Sequence, residues 1–333
     1  MVLVEFALLN ISVERGLKTF AVLYYLFFFL IAPPFSIFLA IYLLFTSWIV
    51  VLYAVWFVYD YRTPERCSRP LFLCRNSSLW TYFADYFPMK LIKTCEIPSE
   101  NCYIFGCHPH GVMSMGTFTT FCTNGTGFNE KFPGITAYLA TLEGQFWFPF
   151  RREYILTYGI ISCKKKSIKY ALEMGKGVGV AVVLGGALEA LDAHRDCYDL
   201  ILLKRKGFIK LALETGAHLV PVYNFGENDI FNQVSNERGS FLRSFQEKLS
   251  QYTGFSSPIF SGCGIFNYKF GILPFRKAIH TVVGRPIAVE RKINPTSQEI
   301  DELHEIYCTE LQTLFDSHKT KHGIDENIHL KFY

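Results

Sequence analysis

"CYIFGCHPHG", residues 102–111, is an unbroken apolar run that closes on His-Pro-His-Gly. Such a run, short and ended by a turn, fits a strand buried inside a sheet. Pro109 fixes φ and Gly111 permits a tight turn, so His108 and His110 are carried on stiff backbone at the strand's end. Working outward, "VGVAVVLGG" (178–186), "HLVPVYNFG" (218–226) and "IHTVVGRPI" (279–287) share this apolar, β-branched character. Helical patterns lie between them. "GFIKLALETG" (207–216) places Ile209, Ala212 and Leu213 on one face and stops at Gly216. From Thr296 a stripe of Ile300, Leu303, Tyr307, Leu311, Leu314 and Phe315 follows a capping box of Thr296 with Glu299. Strands alternating with helices predict an α/β domain whose mostly buried sheet is flanked by helices.

The chain has 333 residues, half of them hydrophobic, only 19% charged, with a formal charge of +4. No basic run with interleaved aromatics occurs, which argues against nucleic acid as a partner. Ten cysteines without a CxxC pair fit reduced thiols better than a disulfide framework or zinc ribbon. The apolar excess is concentrated. From Phe20 to Tyr59 there is no charged side chain, and a span needs about 20 apolar residues. Pro33 and Pro34 are expected to break or kink this stretch near its middle, giving a helical hairpin that crosses twice or is re-entrant. A buried hairpin in a soluble core is the alternative. Arg15 and Lys18 before the stretch, with Arg62, Arg66, Arg69 and Arg75 after it, favour both ends being cytosolic. Residues 1–60 thus read as an anchor, "DYRTPERCSRP" (60–70) as a linker, and 61–333 as one cytosol-facing domain.

Three constellations carry chemistry. His108-Pro109-His110 admits metal ligation, general-base catalysis or a purely structural role, and no further ligand set completes a metal site. Cys107 beside it is a conceivable nucleophile with nothing evident to lower its pKa. "GGALEAL" (185–191) follows a strand; Gly185 and Gly186 let backbone approach a ligand, and Glu189 is either a working carboxylate or an ordinary first-turn glutamate. Lys204, Arg205, Lys206 and Lys210 gather where a helix begins, suiting a phosphorylated ligand or an anionic lipid surface.

The series "YFP" (86–88), "HPHG" (108–111), "FPG" (132–134), "REY" (152–154), "GGALEAL", "RKGFIKLALETGAHLVPVYNFGEND" (205–229), "TVVGRPI" (281–287) and "LFDSHKTKHGI" (314–324) runs in order along the chain. In it the chain resembles the diacylglycerol acyltransferase type-2 family of monoacylglycerol, diacylglycerol and wax-alcohol acyltransferases. "VEFALLN" (4–10) with "RGLKTFAVL" looks most like the monoacylglycerol branch. The resemblance implies a glycerolipid-acyltransferase-like domain behind a membrane hairpin, in the endoplasmic reticulum membrane or at a lipid-droplet surface.

It further implies fatty acyl transfer from acyl-CoA, a co-substrate, to a neutral lipid alcohol, with neither metal nor other cofactor. The expected acceptor is 2-monoacylglycerol; diacylglycerol, a long-chain alcohol and retinol are the alternatives, and homo-oligomerisation is left open. His108, His110 and Glu189 take the catalytic positions, with Pro109 and Arg152 in support. The more distant HxxxxD dyad is broken here, because Met113 and Met115 occupy the Asp offsets. Glu189 or Glu227 is therefore expected to orient His110, which deprotonates the alcohol, while donors around Gly111, Gly185 and Gly186 or the next helix start hold the oxyanion. The basic cluster would bind acyl-CoA phosphates. A non-catalytic lipid-surface scaffold and a metallohydrolase are the competing classes.

Overall fold

The computed structural model describes residues 12–265 and 270–333, so "VEFALLN" lies outside the described residues. Its centre is a seven-stranded sheet: β1 (Lys90–Lys93), β2 (Tyr103–His108), β3 (Thr136–Thr141), β4 (Ile160–Ser162), β5 (Val178–Val183), β6 (His218–Phe225) and β7 (His280–Val283). The order is β1-β7-β6-β2-β5-β3-β4. All neighbours are parallel except β7 against β6. Each of the four runs singled out above became a strand. β2 is fully buried because both its edges are paired and both its faces are covered.

Alternation along β2 sends Phe105 and Cys107 into one core layer and Ile104 into the other. The first layer is built by α1 (Val13–Thr46), α3 (Ser78–Tyr86) and α4 (Met115–Cys122). The second holds α6 (Lys165–Leu172), α8 (Gly207–Thr215) and α10 (Ser297–Asp316), and the one-turn α7 (Gly186–Glu189) follows β5. Gly216 ends α8 in the left-handed region, and the Thr296–Glu299 capping box starts α10, both as read from sequence.

The N-terminal apolar stretch departs from expectation. α1 continues through Pro33 and Pro34 and ends only at Thr46; after Ser47 and Trp48, α2 (Ile49–Tyr59) begins. A π-helical segment, Phe27–Ile31, absorbs the prolines: the Ala32 N–H reaches back to the Phe27 carbonyl instead of that of Phe28. In this register the next donor would be Pro33, which has no N–H, so the Phe28 carbonyl loses its helical partner. Arg151, at the start of α5 (Arg151–Leu156), supplies one through Nε at 3.0 Å. The first half of α1 joins the core through Ala21, Val22, Tyr25 and Leu26, whereas Phe35, Phe38, Ile41 and Phe45 beyond the prolines are exposed.

Residues 60–70 are not a free linker. Asp60 is buried and pairs with Arg152 and Arg69; Arg69 also pairs with Glu153. α9 (Phe241–Thr253) is inverted relative to a helix facing water. Arg243, Gln246 and Ser250 face inward, while Phe241, Phe245 and Tyr252 face outward. Arg243 pairs with Asp192, and Gln246 donates to the Ser257 carbonyl at 2.8 Å.

Candidate active site

Three adjacent parallel strands, β5, β2 and β6, end at one edge of the sheet. His108 closes β2, and the loops leaving the three strands carry Glu189, His110 and Glu227. In parallel α/β sheets this edge is where ligands bind.

The two histidines face different surroundings. His108 is fully buried, with Nε2 3.0 Å from the Tyr307 hydroxyl of α10. Tyr307 donates to the Gly106 carbonyl at 3.2 Å, so the Nε2–H of His108 is the donor toward Tyr307. A side chain at Gly106 would collide with that hydroxyl, its Cβ falling 2.0 Å from Tyr307 Oη. Burial pushes the His108 pKa down to about 3, which keeps the ring neutral. His110 is half-buried and lines a cavity of about 690 Å³. Its Nδ1 lies 2.8 Å from the Gly111 carbonyl, an acceptor only, so Nδ1 carries the proton and Nε2 keeps its lone pair. Burial lowers this imidazole's pKa as well, against the opposing pull of the Gly111 carbonyl.

Neither expected carboxylate touches the His110 ring. Glu189 accepts the backbone N–H of His110 at 2.7 Å and that of Ile201 at 2.8 Å. It locks the loop rather than the imidazole. The double glycine explains itself: a Cβ on Gly185 would lie 2.1 Å from the Glu189 carboxyl carbon. Gly186 turns the chain with φ +65 and lines the cavity. Burial raises the Glu189 pKa to about 7, with the two N–H groups acting against it. Glu227 caps α4, accepting Met115 N–H at 2.7 Å and Gly116 N–H at 2.8 Å. Its stem fills the space at Gly111, where a Cβ would meet Glu227 Cγ at 2.5 Å. Burial raises its pKa to about 7 too. Because Glu227 occupies the donors at the start of α4, that helix start is not open to an oxyanion.

Of the basic cluster only Arg205 reaches the cavity. It stands at the exposed rim and donates through Nη2 to the Gly185 carbonyl at 3.3 Å. Lys206 pairs with Asp301 at 2.7 Å, and Lys204 and Lys210 are exposed away from the lining. Pro109 is buried within the loop. Arg152 lies outside the cavity: it ties α5 to Asp60 and sits 4.7 Å above the Phe57 ring. Cys107 is buried, and its thiol is pushed far up by burial, which leaves no reactive thiolate. Among the described residues no group of three or more His, Cys, Asp or Glu could hold a metal ion.

The cavity is apolar for most of its length. Tyr25, Phe28, Phe29, Leu30 and Pro33 of α1 form one wall, and Phe255–Pro258 with Phe260, just after α9, form another. Two residues the sequence reading passed over shape it. Tyr25 holds the histidine loop by donating to the Met113 carbonyl at 3.1 Å. Arg151 lines the cavity at only 6% exposure. Its signal was a second arginine beside the "REY" motif, in an otherwise aromatic stretch.

The sequence profile of the family described as "Diacylglycerol acyltransferase" matches residues 39–333. Bos taurus 2-acylglycerol O-acyltransferase 1 is 49% identical over 332 residues, covering 99% of both chains. Dictyostelium discoideum diacylglycerol O-acyltransferase 2 is 44% identical over 329 residues, again covering 99% of both. A solved structure, the 1-acyl-sn-glycerophosphate (LPA) acyltransferase of Thermotoga maritima, aligns with a TM-score of 0.41 at 11% identity, covering 90% of this chain and 96% of that one.

Proposed function

From the chain's membership of the diacylglycerol acyltransferase family, we propose that it transfers a fatty acyl group from acyl-CoA to an acylglycerol, with 2-monoacylglycerol as acceptor. One observation carries the chemistry: His110 offers an unprotonated Nε2 at the wall of an apolar cavity that the membrane-length helix also lines. A lipid alcohol is a weak nucleophile at neutral pH. His110 takes its proton as the oxygen attacks the thioester carbonyl; the tetrahedral oxyanion then collapses, expelling the CoA thiolate. Backbone N–H groups of Gly111 and Gly186 are the proposed oxyanion donors. Arg205 meets the anionic CoA moiety at the rim. The thioester is already activated, so no covalent intermediate is required. The test is acyl transfer by membranes given labelled oleoyl-CoA with monoacylglycerols, diacylglycerols, long-chain alcohols or retinol. Diacylglycerol formed from 2-monoacylglycerol is expected to dominate; a wax or retinyl ester as main product would overturn the acceptor, and no ester at all the activity.

On this reading the enzyme sits in the endoplasmic reticulum membrane, with both termini cytosolic. From Ala32 on, α1 extends about 22 Å and α2 about 16 Å, both short of the roughly 30 Å hydrocarbon core, which supports a re-entrant hairpin. The outward aromatic face of α9 supports a second contact with the same leaflet, because apolar side chains turned outward suit lipid and not water. Benzophenone placed at Phe245 in native membranes should form phospholipid adducts on illumination. Crosslinks to another copy of the chain, or none above a position beside Asp301, would refute that contact.

A further inference from the structure

Arg151 has an unfinished hydrogen-bond set. Nε donates to the Phe28 carbonyl and Nη1 to the Gln145 carbonyl, each at 3.0 Å. Nη2 has no hydrogen-bond partner among the described residues and is not sealed inside the protein, and Arg151 is part of the cavity wall. The Phe148 ring lies 5.7 Å from the guanidinium, and no carboxylate pairs with it among the described residues. A guanidinium 6% exposed, whose hydrogen-bond partners among the described residues are neutral carbonyls, is a poorly compensated cation in an apolar chamber.

The geometry points to Arg151 as the anchor for a long-chain carboxylate: a fatty-acid anion whose head meets Nη2 and whose tail fills the cavity. A carboxylate supplies the missing counter-charge. An ester or alcohol oxygen would accept one hydrogen bond without it, and charge-assisted bonds are about twice as strong as neutral ones. Since Nε and Nη1 are already committed, the contact is through one nitrogen and not a bidentate fork. The expected preference is accordingly about 10- to 100-fold. The volume, about 690 Å³, suits a lipid tail. An unesterified fatty acid held there would occupy the space proposed for the acyl substrates, and so compete with them.

Binding tests this without using acyl transfer. The purified full-length protein is titrated with cis-parinaric acid and, separately, with the corresponding parinaryl alcohol at pH 8, by fluorescence. The wild type should hold the acid at least about tenfold more tightly than the alcohol. Arg151→Leu should erase that preference while leaving alcohol affinity unchanged, which also reports an intact cavity. Arg151→Gln, neutral but able to donate to the Phe28 and Gln145 carbonyls, should behave like Arg151→Leu. Arg205→Leu should keep the preference. Equal affinities in the wild type, a preference that survives in Arg151→Leu, one that collapses in Arg205→Leu instead, or no binding of either probe would each overturn the assignment. Loss of acyl transfer in preparations that keep the preference would count against the proposed function alone.

Discussion

Replacing His110 with alanine is expected to lower kcat by about 10²- to 10⁴-fold, the usual worth of a positioned general base. The substitution removes a half-buried ring whose one hydrogen bond among the described residues is to the Gly111 carbonyl, so folding and lipid binding in the cavity should survive. KM for both substrates should therefore change far less than kcat. The sign of the pH dependence follows from the lowered pKa. The base form persists below the ordinary imidazole value of 6.5, so in the wild type kcat/KM should begin to fall only under that pH. His108→Ala should differ in kind. It removes the partner of Tyr307 and opens a void behind β2, so the loss should appear mainly as lowered thermal stability. A folded His110→Ala protein that kept most of its rate would remove His110 from the mechanism.

Local pattern carried some of this a long way. The continuous apolar runs gave β2, β5, β6 and β7, and the capping signals gave the end of α8 and the start of α10. Strands β1, β3 and β4 were not legible, because their pairing depends on neighbours remote in sequence. The proline pair was misread for a related reason. Nothing near Pro33 says that a π segment will move the register, or that Arg151, 123 residues away in sequence, will satisfy the freed Phe28 carbonyl. At the site, residue types were readable and their partners were not. Glycines before a glutamate suggested backbone approach to a ligand, whereas Gly185 makes room for Glu189 itself. The basic run read as one cluster, but helix geometry and Asp301 leave only Arg205 at the rim. Carboxylates near a histidine motif invite a ring-orienting role; here both are spent on backbone N–H groups.

Glu189→Gln tests that last distinction. Both carboxylate oxygens accept backbone N–H groups, from His110 and from Ile201. An amide keeps one acceptor and turns its NH2 toward the other donor, leaving a buried N–H unsatisfied at about 1–3 kcal/mol. The histidine loop should loosen, so kcat should fall by at least about tenfold and the melting temperature should drop. Because the carboxylate does not contact the imidazole, the acid limb of the rate profile should stay where it is in the wild type. Had Glu189 oriented the ring, losing its charge would move that limb downward, since a neighbouring carboxylate favours the imidazolium. Stability carries its own sign. The Glu189 pKa rises on folding from 4.5 to about 7, so its favourable contribution is full below 4.5 and is lost as pH rises through 7. The stability gap between wild type and Glu189→Gln should therefore narrow over that window, a trend that denaturant melts at stepped pH would read. A displaced acid limb at unchanged stability would return Glu189 to the ring-orienting role.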